Sequence, residues 1–165
     1  MSSRSEWRGD RRIRVGLEVD ESSARPVSAW VLDGPAAQRP SLGGSHVVRV
    51  EVSGRLELLQ SVDNPRLMRS IPRPGRAGHH FGMKDRATIY VDVPIRSDEP
   101  LRDVSISVTD LSELGDRPTS PTAMEQMLDV DKPTGMRSLS TVTLDDLRAL
   151  PDWEAVAHEL ELPRG

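Results

Sequence analysis

The chain contains no cysteine, and its 165 residues include only three Trp, one Tyr and one Phe. The absence of cysteine excludes disulfide bonds, Cys-ligated zinc, iron–sulfur clusters and thiol catalysis. Because aromatic residues make up only 3% of the chain, a core must be built from Val, Leu, Ile and Ala. We expect Trp30 and Trp153 to lie in that core or to dock helices on it.

The sequence also lacks long apolar segments. No run approaches the roughly 18 residues that cross a bilayer as a helix. Residues 1–16 (MSSRSEWRGDRRIRVG) carry charges but no apolar region of the kind that signal peptides contain. Lysine is scarce beside arginine, which together with frequent Ala, Gly and Pro is typical of GC-rich bacterial coding sequences. We therefore predict a cytoplasmic bacterial protein that does not contact a membrane.

Apolar and polar residues alternate with a period of two through most of the first 114 residues. Such alternation is typical of half-buried strands, because successive side chains point to opposite faces of a sheet. Six segments show it: RIRVGLEVD, PVSAWVLDG, HVVRVEV, RLELLQSV, ATIYVDVPI and LRDVSISVTDL. The pattern predicts a mainly β fold, an antiparallel β-sandwich of immunoglobulin-like or similar type, with a small β-barrel as the alternative.

Composition divides the chain into four segments. Residues 1–11 predict a flexible basic leader, and residues 12–114 predict the β-sandwich domain. Residues 115–142 are rich in Pro, Ser and Thr, and they predict a linker or arm with one short helix near 122–128. Residues 143–162 predict two short helices that pack on the sandwich or on a partner, because their apolar stripes must be buried somewhere.

Charge is segregated along the chain, although the net charge is only −4. Segment 66–86 holds six basic residues and one acid, whereas segment 143–165 holds six acids and two arginines. The basic segment is also a long connection between two predicted strands, and connections of that length are often functional. Either the two segments neutralise each other within the chain, or each meets a partner.

We predict a non-catalytic protein-binding or structural, accessory module of a bacterial assembly, whose contact surface is the basic loop, residues 66–86, together with the terminal arms. Arginine binds carboxylates and phosphates through paired hydrogen bonds, and glycines let backbone N–H groups approach an anion. The expected partner is an acidic protein or a second copy of the chain, with an anionic ligand as a further option. Nucleic acid is disfavoured, because the chain is acidic and the loop offers a single aromatic ring for stacking. The predicted binding residues are Arg66, Arg69, Arg73, Arg76, His79, His80, Phe81 (the expected anchor), Lys84 and Arg86.

Two alternative functions stay open beside a non-catalytic module without a cofactor. One is a metal-dependent enzyme or a metal-binding protein that uses His79, His80 and Asp85, with Asp63 as a further carboxylate. Against it, adjacent histidines of an extended segment point to opposite sides, and no HxH or HExxH spacing is present. The other is a small-ligand binder with a pocket between the sheet and the C-terminal helices.

Overall fold

A computed structural model of the chain describes residues 11–35, 43–69, 81–96, 99–129 and 135–162. Strands dominate the described residues, and all their pairings are antiparallel. The prediction of a mainly β, antiparallel fold is therefore confirmed. In chain order the elements are β1 (Arg11–Val19), β2 (Ala24–Asp33), β3 (His46–Val52), β4 (Arg55–Val62), β5 (Leu67–Arg69), β6 (Phe81–Met83), β7 (Ala87–Ile95), β8 (Val104–Asp110), α1 (Pro121–Asp129), β9 (Arg137–Thr143), α2 (Leu144–Arg148) and α3 (Trp153–Glu159).

A three-stranded sheet has the order β2-β1-β7, with β1 at its centre. On the outer face of this sheet, Arg14 of β1 lies between Trp30 of β2 and Asp92 of β7. The opposite face points into the core, as the alternation of the sequence predicts. The inward residues of β1 are fully buried: Ile13, Val15, Leu17 and Val19.

A four-stranded sheet has the order β4-β3-β8-β9. β3 and β4 form a hairpin that turns at Ser53 and Gly54, as their alternating sequences predict. On the other side of β3, Val50 lies opposite Ile106 of β8, and neither side chain is exposed to solvent. This sheet therefore also presents an apolar face to the core.

One hydrophobic core is shared by the two larger sheets and the two C-terminal helices. α2 begins after Thr143, whose backbone N–H and hydroxyl group donate to the Asp146 carboxylate at 2.8 and 3.0 Å. The first of these bonds satisfies the backbone N–H of Thr143 at the start of the helix. α3 packs against β2 and buries Trp153, Val156 and Ala157. The helical pair thus packs on the β domain of its own chain.

A smaller apolar cluster lies on the other face of the four-stranded sheet, under α1. Arg49 of β3 binds the last residue of α1, because its guanidinium donates to Asp129 at 2.6 Å. The same guanidinium donates to Glu51 of β3 at 2.7 Å. The outer face of the three-stranded sheet carries no helix among the described residues, although α3 borders it along β2. The buried members of the smaller cluster are Val47, Leu59, Leu111 and Met124.

The predicted linker, residues 115–142, contains more structure than the sequence indicates. α1 coincides with the short helix predicted near 122–128, but β9 adds a fourth strand beside β8. The register between β8 and β9 shifts at one position, so the buried residues Leu139 and Val142 are three positions apart. This bulge breaks the period of two that identifies the other strands, and the strand was therefore missed.

Three further predictions concern the N-terminal leader, the small-barrel alternative and the absence of a membrane-spanning helix. Arg11, the last residue of the predicted leader, is the first residue of β1, and residues 1–10 lie outside the described residues. The described strands form separate sheets that do not close on one another, so the small-barrel alternative is wrong for them. In the part of the chain that the structure describes, no helix has the length and apolar character needed to cross a membrane.

Candidate protein-binding surface

The predicted contact loop begins and ends in a two-stranded ribbon. β5 pairs with β6, and Leu67 lies opposite Met83 in this pairing. The backbone N–H of Lys84 donates to the carbonyl oxygen of Arg66 at 2.8 Å, which extends the ladder by one hydrogen bond. We call residues 66–69 and 81–86 the basic ribbon.

The predicted binding residues fall into three groups. Arg66, Lys84 and Arg86 belong to the basic ribbon, and their side chains are described. Arg69 and Phe81 form the last described backbone pair of the ribbon, so the role of Phe81 as an anchor stays a prediction. The remaining four lie outside the described residues, and their roles also stay predictions: Arg73, Arg76, His79 and His80.

A local turn sets the direction in which the ribbon leaves β4. The Asn64 side-chain oxygen accepts a hydrogen bond from the backbone N–H of Arg66 at 3.0 Å. The Asn64 carbonyl oxygen accepts a second bond from the N–H of Leu67 at 3.1 Å. Asn residues favour turns because their side chains bond the backbone two residues on, as the sequence Asp63-Asn64-Pro65 indicates.

The basic ribbon exposes three large apolar side chains. Leu67 is 38% exposed, Met68 is 43% exposed and Met83 is 52% exposed. They are half of the six large hydrophobic side chains that are exposed among the described residues. Leu67 and Met83 are paired and share one face of the ribbon, whereas Met68 lies on the opposite face. Single exposed apolar residues are common on protein surfaces, but an exposed pair on one face of a short element indicates a contact site.

The cationic side chains of the ribbon are available to a partner. Neither Arg66 nor Lys84 forms an ion pair with another residue that the structure describes. Arg86 is the exception, since its guanidinium lies 3.5 Å from the Glu18 carboxylate of β1. That carboxylate is shared with Arg25, so it does not fully neutralise Arg86. The ribbon therefore combines apolar side chains with positive charge.

The acidic C-terminal helices do not neutralise the ribbon within the described part of the chain. No ion pair there joins the ribbon to residues 143–162. Glu159 of α3 instead accepts from Arg11 at 2.7 Å, and Asp145 accepts from Arg148 within α2 at 3.2 Å. These acidic side chains therefore pair with arginines outside the ribbon. The described ion pairs do not support the explanation that the two charged segments neutralise each other.

Of the residues in the metal-binding alternative, the structure describes the two aspartates. Asp63 and Asp85 are exposed, and both flank the end of the ribbon where Leu67 pairs with Met83. The described residues contain no group of three or more His, Asp or Glu side chains placed to hold a metal ion. The two histidines of this hypothesis, His79 and His80, lie outside those residues, so the alternative stays a prediction.

A shallow groove of about 290 Å³ lies between β2 and α3, in the region where the third hypothesis places a ligand pocket. Trp30 forms one wall, and the acidic residues Asp152 and Glu159 lie on the other. The bulky apolar side chain of α3, Trp153, is buried in the core instead of lining this space. The groove is open to solvent, and binding of a small ligand there stays a prediction.

The sequence did not identify a second exposed apolar surface. Trp30 is 37% exposed instead of lying in the core, and Tyr90 of β7 is 60% exposed. Their ring centroids are 5.7 Å apart, with the planes at 67°, on the outer face of the three-stranded sheet. The two residues are on strands that are distant in sequence, so only the strand order and register bring them together.

No family model, curated protein or solved structure matches this chain.

Proposed function

We propose that this protein is a non-catalytic protein-binding or structural module of a bacterial cytoplasmic assembly, and that its basic ribbon contacts an acidic segment of another protein. The observation that carries the proposal is the joint exposure of Leu67, Met68 and Met83 on an element that also carries Arg66 and Lys84. Neither cation forms an ion pair with another described residue, and apolar side chains beside such cations are suited to a partner that is both apolar and acidic.

The apolar part of the ribbon supports affinity. Covering exposed apolar surface stabilises a complex by about 25 cal/mol for each Å² removed from water. Methionine suits such a site because its unbranched, polarisable side chain adapts to partners of different shape. The terminal methyl group of Met68 lies over Gly82 on the opposite strand.

The cations of the ribbon support selectivity and encounter rate. Positive side chains at the rim of an interface steer an acidic partner towards it, and their effect weakens as salt screens the charges. The protein carries a net charge of −4, so a locally basic ribbon also orients an acidic partner away from the rest of the surface. We therefore expect binding that weakens as the salt concentration rises.

We further propose that the ribbon projects from a β-sandwich. The shared core between the two larger sheets supports this arrangement. The strand order differs from that of an immunoglobulin domain, in which the first strand lies at a sheet edge, because β1 here is central. A rigid sandwich suits a binding module, since it holds the ends of a contact segment in fixed positions.

The proposal is tested with two double variants of the ribbon, Leu67→Ser/Met83→Ser and Arg66→Glu/Lys84→Glu. The tagged protein is expressed in its native cells, and co-purifying proteins are quantified by mass spectrometry. Light scattering of the purified protein measures self-association in parallel. We expect each double variant to reduce a partner, or a dimer, by about tenfold or more, because a few central residues dominate most interfaces.

Matched controls separate a lost contact from a lost fold. Val27→Ser removes a comparably exposed apolar side chain from β2, and Arg102→Glu reverses an exposed charge away from the ribbon. Both controls should keep the partner, and all variants should unfold within about 0.5 kcal/mol of the wild type. The same partners and the same mass for the wild type and both ribbon variants would refute the proposal.

A further inference from the structure

The outer face of the three-stranded sheet forms a second surface with its own chemistry. Its central strand presents alternate residues to solvent, and the flanking strands add one residue on each side of every position. In the middle of the face, Gly16 lies between Ser28 of β2 and Tyr90 of β7. We call this surface the aromatic face, because Trp30 and Tyr90 meet on it.

Gly16 permits the aromatic contact across the central strand. A Cβ atom at this position would lie 2.4 Å from the Ser28 hydroxyl oxygen and 3.5 Å from the Tyr90 ring. Without a side chain there, the rings of Trp30 and Tyr90 reach over β1 and contact each other edge to face. Both rings stay partly exposed to solvent, and we call the exposed surface between them the aromatic notch.

Each end of the aromatic face carries two arginines that share one carboxylate. At one end, Asp92 accepts from Arg12 at 3.0 Å and from Arg14 at 2.8 Å. At the other end, Glu18 accepts from Arg25 and lies 3.5 Å from Arg86.

Within each of these two groups the arginines outnumber the carboxylates by one. Two other carboxylates, those of Asp152 and Glu159, lie across the groove beside Trp30. Arg25 and Arg86 are also largely exposed and keep donor groups available. The aromatic face therefore attracts anionic groups at two separate points.

The distance between the two cationic ends matches the distance between side chains i and i+4 of an extended peptide. Arg14 and Glu18 are four residues apart on β1, which corresponds to about 13 Å at the rise of a β-strand. The side chains of an extended peptide at positions i and i+4 span the same distance and point to the same side. Position i+2 then lies midway between them, over the aromatic notch.

We infer that the aromatic face binds an extended acidic peptide segment in which two carboxylates at positions i and i+4 flank an apolar or aromatic residue at i+2. The carboxylates would pair with the two arginine clusters, and the central side chain would contact Trp30 and Tyr90. This surface is distinct from the basic ribbon, with which it shares only Arg86, so the inference goes beyond the proposed function.

A peptide fits this face better than single-stranded nucleic acid. Base stacking uses an open ring face, whereas the two rings here meet at 67° and form a notch. Carboxylate groups also match the planar guanidinium fork of arginine. The net charge of −4 repels a polyanion more strongly than it repels a peptide with two acids.

The test compares two synthetic peptides of identical composition. The probe is Ser-Glu-Thr-Phe-Thr-Glu-Ser, and the control is Ser-Thr-Glu-Phe-Glu-Thr-Ser, whose carboxylates point away from the phenylalanine side when it is extended. Titrations of the full ¹⁵N-labelled chain follow the Trp30 indole N–H and the amide groups of Gly16 and Tyr90. We expect the probe to shift these signals and to bind at least about fivefold more tightly than the control.

Two variants locate the binding on the protein. Tyr90→Ser and Arg25→Gln alter exposed side chains, and each should weaken the probe by about threefold to tenfold, whereas Arg102→Gln should not weaken it. A thermal melt of each variant confirms that the fold is kept.

Several results would overturn the inference. They are equal binding of the two peptides, no shift at about 5 mM probe, or tighter binding of an oligothymidine of the same length. Shifts confined to the basic ribbon would also overturn it, while leaving the proposed function of the ribbon intact. Conversely, loss of the ribbon partner in the earlier experiment does not affect these titrations.

Discussion

At the scale of single residues, Gly44 is fixed by the backbone of the strand beside it. A Cβ atom at this position would lie 2.2 Å from the carbonyl oxygen of Val62. The backbone N–H of Gly44 also donates to the buried Ser61 hydroxyl at 2.9 Å, and its carbonyl oxygen accepts from Arg117 at 3.2 Å. The segment that enters β3 therefore cannot move aside without breaking these hydrogen bonds.

We predict that Gly44→Ala lowers the free energy of unfolding by about 2–4 kcal/mol, since backbone must shift to relieve the clash. Gly43→Ala is the matched control, because a Cβ atom there meets no atom of the described residues within 4 Å. Urea unfolding measures both variants. An equal effect of the two substitutions would show that the close approach of Gly44 to Val62 does not matter for stability.

His46 is the buried titratable residue with the clearest consequence for pH. Its ring nitrogen Nδ1 lies 2.9 Å from the Ser45 hydroxyl oxygen, and Nε2 lies 4.0 Å from Asp110. Burial lowers the pKa of His46 below its ordinary value of 6.5, and the Asp110 carboxylate opposes this shift. Arg66 and Arg137 lower the pKa of His46 further.

The direction of this shift gives a prediction for stability against pH. Because the folded chain protonates His46 less readily, the unfolded state binds more protons below about pH 6.5, and stability falls as pH decreases through that range. Burial raises the pKa of Asp110, but hydrogen bonds from Ser112 and Arg137 outweigh it, and the pKa lies below its ordinary value of 3.8. Protonation of Asp110 therefore affects stability only at a lower pH than protonation of His46 does.

Thermal melts between about pH 7.5 and 5 test this prediction. His46→Gln should flatten the decline, whereas His158→Gln, a substitution of an exposed residue on α3, should keep it. An unchanged decline in the His46 variant would assign the pH dependence to other groups.

At the scale of elements, the sequence predicts those strands in which apolar and polar residues alternate, even where the pairing contains a register shift, as between β1 and β2. β1 alternates along its length and β3 alternates from Val48 to Val52, so hydrophobic period alone identifies them. β9 was missed because a bulge separates Leu139 from Val142 by three positions. The ribbon strands β5 and β6 span only three residues each, too few for any period to be visible.

Trp153 is the largest of the three side chains that α3 buries. Trp153 lies at the first residue of the helix and is buried in the shared core. We predict that Trp153→Ala costs about 3–5 kcal/mol, because a large buried aromatic residue leaves a cavity. Glu154→Ala, at the exposed neighbouring position, should cost less than about 0.5 kcal/mol. Denaturant unfolding tests both, and a small effect of Trp153→Ala would mean that α3 does not depend on it.

At the scale of the whole molecule, charge counts along the sequence name candidate contact residues, but they do not predict which apolar side chains are exposed. Charge counting along the sequence identified Arg66, Lys84 and Arg86 as candidate contact residues. The exposure of Met83 and its neighbours was not predictable, because it depends on which faces the rest of the fold leaves uncovered. The Trp30–Tyr90 pair was missed for a similar reason, since strand order places β2 and β7 on either side of β1.

The most direct test of the central proposal places a photoreactive side chain at position 83 of the ribbon or, as the control, at the exposed position 102, which belongs to neither proposed surface. After illumination in native cells, we predict that position 83 cross-links to an acidic segment of one protein and that position 102 does not. Adding Arg66→Glu/Lys84→Glu should abolish the cross-link. Equal labelling from both positions, or labelling from position 83 that survives the charge reversal, would contradict the assignment of the basic ribbon as the contact site.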